Sequence, residues 1–351
     1  MRVALVFNVK PEGISEEVDE ETTDSQGFAE LSREDDYYAE WDTPETINAV
    51  KNALEEYHTV TLIEADQNVF EKLKENKPEI VFNVAEGMFG ISREAQVPAM
   101  CDFLRIPYSG SSPLTLATCL DKGRTKEILS YHKIPVSPFK VVNTFEELDD
   151  AGLIYPLMVK PNGEGSSKGI FHSSFVNNRK QLEAEVERVL NGYDGSCLIE
   201  EYLPGREFTV ALLGNTPDVE VLPIVEILFD DFPKDMLPLY SYEAKWLIDT
   251  RDTPLKAFNT PADVSEELKN AITKTALDTY KVLDCKDWSR IDLRCDAQGI
   301  PHVIEINPLP GILPDPRDNS SFPKAAYAAG YTYTEMINKV LFTAAKRYGL
   351  L

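Results

Sequence analysis

The sequence predicts a mixed α/β and α+β fold, in which a parallel, doubly wound N-terminal domain is followed by two domains of α+β type. Three observations predict it. Residues 2–110 alternate short apolar runs with helical patterns, the signature of βαβ units. From about residue 112 strands begin to follow one another without a helix between them, which breaks that alternation. The chain has 351 residues, enough for two or three separate cores at roughly 150 residues per domain. The boundaries are read at 1–112, 113–204 and 205–351.

In the first domain, strands are expected near 2–8, 59–64, 79–84 and 106–109. The clearest helix begins at Thr43-Pro44, an N-cap followed by a first-turn proline, and sets Ile47, Val50, Leu54 and Tyr57 on one stripe. Ligands of such sheets bind beyond the C-terminal ends of the strands. That rule marks the acidic stretch after Asn8 and the segment Asn83–Gly90 as candidate substrate loops. Residues 12–45 hold 14 acids and a single base, Arg33. Runs so rich in charge and poor in apolar residues seldom order alone, so the stretch reads as a solvated insertion. Tyr37, Tyr38 and Trp41 at its end keep the substrate-loop reading open.

The central domain reads as a helix at 122–132, strands near 139–142, 155–160 and 170–175, a helix at 179–190 and a strand at 197–203. The third has strands near 206–214 and 219–227, a long segment at 229–261, a helix, strands at 288–295 and 302–307, and a C-terminal helix. A loop of that length inside a compact domain points to a lid or binding loop.

The net charge of −24 repels polyanions, which excludes nucleic acid and anionic membrane as main partners and leaves small ligands. Five cysteines, an odd number with no C-x-x-C pair, read as buried reduced thiols. The N-terminal apolar run is too short for a secretory segment, and no apolar run reaches the length of a membrane span. A cytoplasmic protein is therefore expected.

The chemistry concentrates in two strands near the C-terminus. Alternation in Trp288–Cys295 puts Arg290, Asp292 and Arg294 on one face and Ile291, Leu293 and Cys295 on the other. In Val303–Asn307, Glu305 and Asn307 share a face opposite Ile304 and Ile306. A hairpin centred on Gln298-Gly299 would set Asp292 opposite Glu305 and Arg290 opposite Asn307. Two opposed carboxylates repel unless something compensates them. Either a divalent cation does so, with Asn307 as a third hard ligand and phosphates completing the shell, or the face is a polar hairpin surface on which Arg290 pairs the acids.

Phosphate-binding groups favour the first reading. The apolar strand Tyr155–Lys160 ends in a lysine and runs into Pro161-Asn162-Gly163-Glu164-Gly165-Ser166-Ser167-Lys168-Gly169, whose glycines and serines let backbone N–H groups approach phosphate oxygens. Lysine precedes the glycines, so this is not the G-x-x-x-x-G-K-S/T loop. Lys122 and the pair Glu200-Glu201 at the end of another strand are further candidates.

In order along the chain, these pieces resemble the ATP-grasp superfamily, and within it the D-alanine:D-alanine ligase branch. The resemblance rests on Val81-Phe82-Asn83, Ile106–Gly110, Asp121-Lys122 with Thr125-Lys126, Val159-Lys160-Pro161, Gly165-Ser166-Ser167 and Gly205–Val210. Tyr242-Glu243-Ala244-Lys245, Arg290-Ile291-Asp292 and Glu305-Ile306-Asn307 through Pro310-Gly311 complete it. It implies an ATP-grasp fold preceded by an N-terminal parallel α/β domain, with ATP between the central and C-terminal domains. Lys122 and Lys160 would hold phosphates, with Gly165 and Ser167 in the loop above them. Glu200, Glu201, Tyr202 and Leu203 would follow the adenine edge and Glu207 the ribose. Lys245 would reach in from the lid. Asp292 would bind one Mg²⁺, Glu305 would bridge two and Asn307 would hold the second, with Mn²⁺ as the alternative ion. A substrate carboxylate would take the γ-phosphoryl group, and Arg290 with the Gly311 N–H would stabilise the oxyanion as an amine attacks the acylphosphate. Small amino acids would be the substrates, and the family also implies a homodimer.

Departures from the family pattern fall on the amino-acid side. The usual glutamate-bearing loop after the first strand reads Asn8-Val9-Lys10-Pro11-Glu12-Gly13 here, with Glu12, Glu16 or Glu17 as replacements for the ammonium-holding glutamate. The family's His before Gly87 is Glu86, followed by Gly90-Ile91-Ser92-Arg93-Glu94. The lid tyrosine that would hydrogen-bond Ser166 is Trp246. Extra residues Pro314–Asp318 precede Ser320, which aligns with the serine on the second substrate's carboxylate. The expected activity is an amide-forming ligase with D-alanine as default substrate. The same chemistry on other amino acids or a small-metabolite carboxylate is the first rival, and a nucleotide-binding protein without turnover the second.

Overall fold

Strand β1 (Arg2–Phe7) lies between β2 (Thr59–Glu64) and β3 (Ile80–Asn83) in a parallel sheet. The structure is a computed structural model that describes residues 1–11, 38, 40–232, 238 and 255–351. The near-continuous apolar run of β1 is explained by cover on both faces. Val3, Leu5 and Phe7 pack with Ile47, Val50 and Leu54 of α1 (Pro44–Glu55), while Ala4 and Val6 pack with Val69 and Leu73 of α2 (Val69–Asn76) and Val97 and Cys101 of α3 (Gln96–Leu104). Thr43 caps α1 as expected, its Oγ1 accepting the Thr46 N–H at 3.3 Å. Tyr57 leaves the expected stripe because the helix stops at Glu55, and the residue is 65% exposed. The strand expected at 106–109 is reduced to one bridge, Tyr108 to Val81, because Pro107 has no N–H to continue a ladder.

After α4 (Pro113–Leu120) and α5 (Lys122–Tyr131) comes a four-stranded antiparallel sheet. Its order is β4 (Phe139–Val142), β7 (Cys197–Glu201), β5 (Leu157–Pro161), β6 (Phe175–Val176), with α6 (Arg179–Gly192) packed on it. The strand expected at 170–175 is only the two-residue β6, preceded by a 3₁₀ turn at His172–Ser174 in which Ser174 Oγ accepts the Phe171 N–H at 3.1 Å.

The third sheet has the order β11 (Phe258–Asn259), β10 (Val225–Ile227), β8 (Glu207–Leu213), β12 (Trp288–Cys295), β13 (Pro301–Asn307), with β9 (Glu220–Val221) on β8. Pro223 splits the expected 219–227 strand into β9 and β10. Helix α7 (Glu266–Val282) covers one face of this sheet through Ile272, Ala276 and Tyr280, against Phe208, Val210, Ile291, Leu293 and Ile306. The expected C-terminal helix is two, α8 (Ser321–Ala328) and α9 (Tyr333–Arg347), broken at Gly330, which takes φ +92°.

The other face of this sheet changes character along its strands. At one end Ala211, Leu213 and Trp288 join the β1 and α1 core, where the Trp288 ring meets Phe82 and Phe322 edge-on at 5.8 and 5.5 Å. Further along, Thr209, Glu207 and the polar side chains of β12 and β13 open onto a cavity. One shared core thus fixes the N-terminal sheet against the strands that carry the polar groups. All five cysteines are buried and unpaired, and no helix among the described residues is long and apolar enough to cross a membrane.

A buried polar junction reinforces that contact. Asp287, with no exposed surface, accepts the Gly110 N–H at 2.9 Å and the Asn215 amide at 2.8 Å, and pairs with Arg347 of α9 at 2.7 Å. Arg347 also donates to the carbonyls of Tyr108 and Gly110. Removing one partner of a buried pair leaves the other charge uncompensated, which costs about 3–5 kcal/mol. Arg347→Met, which keeps the packing stem, should therefore lower the urea unfolding free energy by about 3 kcal/mol or more. A loss under about 1 kcal/mol would place the pair in the class of exposed, weak ion pairs.

Candidate active site

A cavity of about 600 Å³ lies between the four-stranded and the larger sheet and is closed on a third side by the N-terminal domain. Its floor is the β8–β12–β13 ladder. Register puts Arg290 between Ala211 and Asn307, Asp292 between Thr209 and Glu305, and Arg294 between Glu207 and His302. The hairpin pairing expected at 290/307 and 292/305 is present. Nearer the turn the pairing shifts by one residue at a β-bulge, so Leu293 faces Val303. The bulged residue, Ile304, is thereby turned to the cavity wall instead of joining Ile306 in the core, contrary to simple alternation.

Each carboxylate on this floor has a cation. Arg290 grips Asp292 with two parallel hydrogen bonds, Nε to Oδ1 at 3.0 Å and Nη2 to Oδ2 at 2.8 Å, and Thr209 Oγ1 donates to Asp292 from the other side. Lys122 Nζ lies 3.0 Å from Glu305 Oε1 and donates to the carbonyl of Glu164 in the glycine-rich loop. Burial works to raise the Glu305 carboxyl, but Lys122, Arg290 and Lys160 together hold it below the usual range. Asn307 lies beside them with its Oδ1 accepting the Leu309 N–H at 3.2 Å. Two carboxylates and an amide oxygen on one open face are a donor set suited to a hard divalent cation.

At the far end the wall is Met158, Ile170, Leu203, Phe208 and Ile304, an apolar slot edged by Glu200, Glu201 and Tyr202. Glu200 is held on one side by Lys126, 2.7 Å away, and on the other by Lys160, 2.5 Å away, with Ser137 Oγ donating to it at 2.6 Å. Burial alone would raise this carboxyl, yet the two ammoniums outweigh it and hold it well below the usual range. Glu207 accepts from Arg294 at 2.8 Å, and the Arg294 guanidinium stacks on the Tyr202 ring, 4.8 Å from its centroid. Ser166 and Ser167 line the cavity from the loop with φ of +51° and +63°, a left-handed backbone that non-glycine residues seldom hold. Gly165 is off the lining, its Cα turned toward Glu40, where a Cβ would collide. Gly311 and Ser320 close the remaining side, with Ser320 Oγ donating to the Gly311 carbonyl at 3.2 Å. Lys245 and Trp246, with Glu12, Glu16 and Glu17, lie outside the described residues.

The N-terminal wall brings in Glu40, Arg93 and Glu94, to which the sequence assigned no role, beside Glu86, which the departures from the family pattern marked as a candidate substrate-binding residue. A bridge between Val9 and Asp42 anchors the end of the acidic stretch, so that Glu40, Trp41 and Asp42 line the cavity rather than stand in solvent. Glu86 joins them from the loop after β3, held by the Gly87 N–H donating to Asn8 Oδ1 at 2.9 Å. Gly87 takes φ +80°, and a side chain there would run into the carbonyl of Arg93. Arg93 Nη2 pairs with Glu40 at 2.7 Å and with Glu164 at 3.2 Å, and Lys168 pairs with the same two acids at 3.4 and 2.7 Å. These four charges fasten the glycine-rich loop to the N-terminal domain. Opposed by burial but favoured by both cations, the Glu40 carboxyl falls to about 2. Glu94, 8% exposed, completes a group in which carboxylate oxygens of Glu40, Glu86 and Glu94 all lie within 4.8 Å of one another. The signal for Glu40 was hidden in a charge run. Arg93 and Glu94 come together with it only because the chain reverses at Gly87.

A family model of the D-ala D-ala ligase C-terminus matches residues 128–342. Protein y4sG of Sinorhizobium fredii, itself uncharacterised, is 34% identical over 88% of this chain and 90% of its own. The D-alanine–D-alanine ligase of Pelotomaculum thermopropionicum is 31% identical over 87% of this chain and 92% of its own. A crystal structure of the D-alanine–D-alanine ligase of Bacillus anthracis complexed with ATP shares the fold, with a TM-score of 0.72 and 23% identity over 100% of this chain and 99% of that one.

The acid cluster makes stability depend on pH. Burial raises the Glu94 carboxyl from 4.5 to about 8, with Arg93 partly opposing, and raises Asp42 from 3.8 to about 7. Between 4.5 and about 8 the folded protein therefore binds more protons than the unfolded chain. That contribution is complete below the lower value and is lost as pH rises through the upper one. The melting temperature of the ligand-free protein should fall across this window, and fall less in Glu94→Gln. Parallel curves for the two proteins would contradict the burial of an ionisable carboxyl there.

Proposed function

The chain belongs to the D-alanine–D-alanine ligase family, and on that footing we propose that it activates the carboxylate of one amino acid with ATP and joins it to the amine of a second. It is an ATP- and Mg²⁺-dependent ligase that forms a C–N bond. The observation that carries the reading in residue terms is the row Thr209, Asp292, Glu305, set by register on the floor of a cavity that also holds Lys122, Lys160 and Arg290.

Each group suits its part. The apolar slot of Met158, Leu203 and Phe208 takes the adenine ring, with Glu200–Leu203 along its polar edge and Glu207 accepting from ribose hydroxyls. Lys122 and Lys160 neutralise phosphate oxygens, and the loop carrying Gly165, Ser166 and Ser167 covers them with backbone N–H groups. Asp292, Glu305 and Asn307 would hold two Mg²⁺, or Mn²⁺, whose charge eases phosphoryl transfer. An oxygen of the first substrate's carboxylate attacks the γ-phosphorus, and ADP leaves behind an acylphosphate. The amine of the second substrate, having lost a proton, attacks the acyl carbon. Arg290 and the Gly311 N–H stabilise the oxyanion of the tetrahedral intermediate, with the Gly311 peptide held by Ser320, and phosphate departs as the amide forms. ATP and free amino acids as substrates place the reaction in the cytoplasm.

Purified protein with MgATP should release phosphate only when amino acids are added, in equal amount to a dipeptide detected by mass spectrometry. Release without amide product would contradict the ligase reading. Glu305→Gln should retain the fold by circular dichroism and lose at least about a hundredfold in kcat, since several kcal/mol of charge stabilisation in the transition state depend on the metal site. A kcat within about threefold of the parent would remove Glu305 from that site.

A further inference from the structure

Arg294 is a buried charge at the slot end of the cavity, and nothing in the proposed chemistry uses it. Arg290, Asp292 and Arg294 are successive cavity-facing residues of β12. Two residues of strand span about 7 Å, so the rung that pairs Arg294 with Glu207 lies that far beyond the rung that pairs Asp292 with Thr209. Tyr202, whose hydroxyl accepts from Arg294 Nη2 at 2.6 Å, edges the apolar slot. The Arg294 rung therefore stands between the acids of the floor and the slot that suits the base. In a nucleotide laid along that line, the sugar occupies the interval.

The guanidinium has little freedom there. Nη1 donates to Glu207 Oε2 at 2.8 Å, and Nη2 donates to the Pro238 carbonyl at 2.8 Å as well as to Tyr202. Its central carbon lies over the rings of Tyr202 and Phe229, 4.8 and 5.4 Å from their centroids. Arg294 is 4% exposed and Glu207 9%. A buried pair of this kind contributes little net stability. A planar fork held in one place does, however, fix the direction of the carboxylate it binds. Glu207 lines the cavity and accepts from no other side chain among the described residues, so its second oxygen is left for a ligand. The pair also limits what that ligand group can be. Glu207 repels a phosphate and Arg294 repels an ammonium, whereas a hydroxyl donates to the carboxylate without bringing a charge of its own.

We propose that Arg294 is a positioning residue that holds Glu207 as a fixed acceptor for the ribose hydroxyls of the nucleotide, and that this pair makes the site selective for ribonucleotides over their 2′- and 3′-deoxy forms. This rests on the nucleotide-binding part of the proposed function and adds the residue that sets sugar specificity.

Calorimetric titration of the full chain with ATP, 2′-deoxy-ATP and 3′-deoxy-ATP, in Mg²⁺ and without amino acid, tests it independently of any ligase turnover. In the parent, Kd for at least one deoxy form should exceed that for ATP by about tenfold to a hundredfold, the worth of one hydrogen bond to a charged group. In Arg294→Met the Kd for ATP should rise and the ratio should fall to within about threefold of one. A parent that binds all three nucleotides equally overturns the inference. So does an Arg294→Met protein that weakens all three by the same factor, because a merely structural role moves every Kd together and leaves the ratio unchanged. If circular dichroism shows that Arg294→Met does not fold, Arg294→Lys decides, since it keeps the charge but not the fork. A reduced ratio then upholds the positioning role, and the parent's ratio overturns it. Binding of none of the three nucleotides overturns the nucleotide reading together with this inference, whereas normal ATP binding without sugar discrimination leaves that reading standing.

Discussion

The antiparallel register of β12 between β8 and β13 is the constraint on which the rest of the structure depends. Period-two alternation sends one set of side chains into the α7 core and the other toward the N-terminal domain. Along that second face, Trp288 and Leu213 pack, and two and four residues after Trp288, Arg290 and Asp292 face the cavity. A slip of one residue would bury Arg290, Asp292 and Glu305 and expose Ile291 and Ile306, so the hydrophobic core itself enforces the placement of the polar groups. The bulge at Ile304 absorbs the mismatch at the turn end without disturbing the rows that carry Asp292 and Asn307.

Charge is compensated in separate compartments. Buried ion pairs contribute little net stability, since desolvation offsets most of their attraction. Their recurrence around this cavity is better understood as positioning. Glu200 spreads Lys126 and Lys160, so that Lys160 stays beside the slot. Arg93 and Lys168 tie Glu164 of the glycine-rich loop to Glu40 of the N-terminal domain, and Lys122 reaches both Glu305 and the loop backbone. A loop that crosses between two sheets is thereby held against both, as a cover over phosphates needs to be. Arg290 and Lys122 answer the opposed acids without a metal, which joins the two readings of the hairpin. The same side chains that quiet the carboxylates are those suited to phosphate and carboxylate groups once substrates arrive.

Local pattern carried much of this. The two long β-strands near the C-terminus and the facing of Asp292 with Glu305 were legible from alternation and turn chemistry alone, as was the cap at Thr43. Lys122, Lys160 and Ser320, which are far apart in the chain, became legible as one site through the resemblance to ATP-grasp ligases. What stayed hidden depends on contacts that no local pattern reports. Ile304 is turned by a bulge, Tyr57 is lost because α1 stops early, and the 106–109 strand is cut by a proline. Glu40 looked like one more solvated acid until the Val9–Asp42 bridge and Arg93 drew it inward. Arg93 and Glu94 were visible as departures from the family sequence, but their meaning lies in a chain reversal at Gly87 that brings them to Glu40 and Glu86.

The central claim is that this cavity transfers the γ-phosphoryl group of ATP to a substrate carboxylate before any C–N bond forms. Labelling the carboxylate oxygens of the amino-acid substrate with oxygen-18 and analysing the inorganic phosphate produced tests it most directly. Attack by the carboxylate on phosphorus leaves one labelled oxygen in each phosphate released when the amine displaces it, and that is the result this account predicts. Phosphate free of label, with product formed, would mean that water or another group accepted the phosphoryl transfer, and the assignment of Arg290, Asp292 and Glu305 to an acylphosphate mechanism would fall.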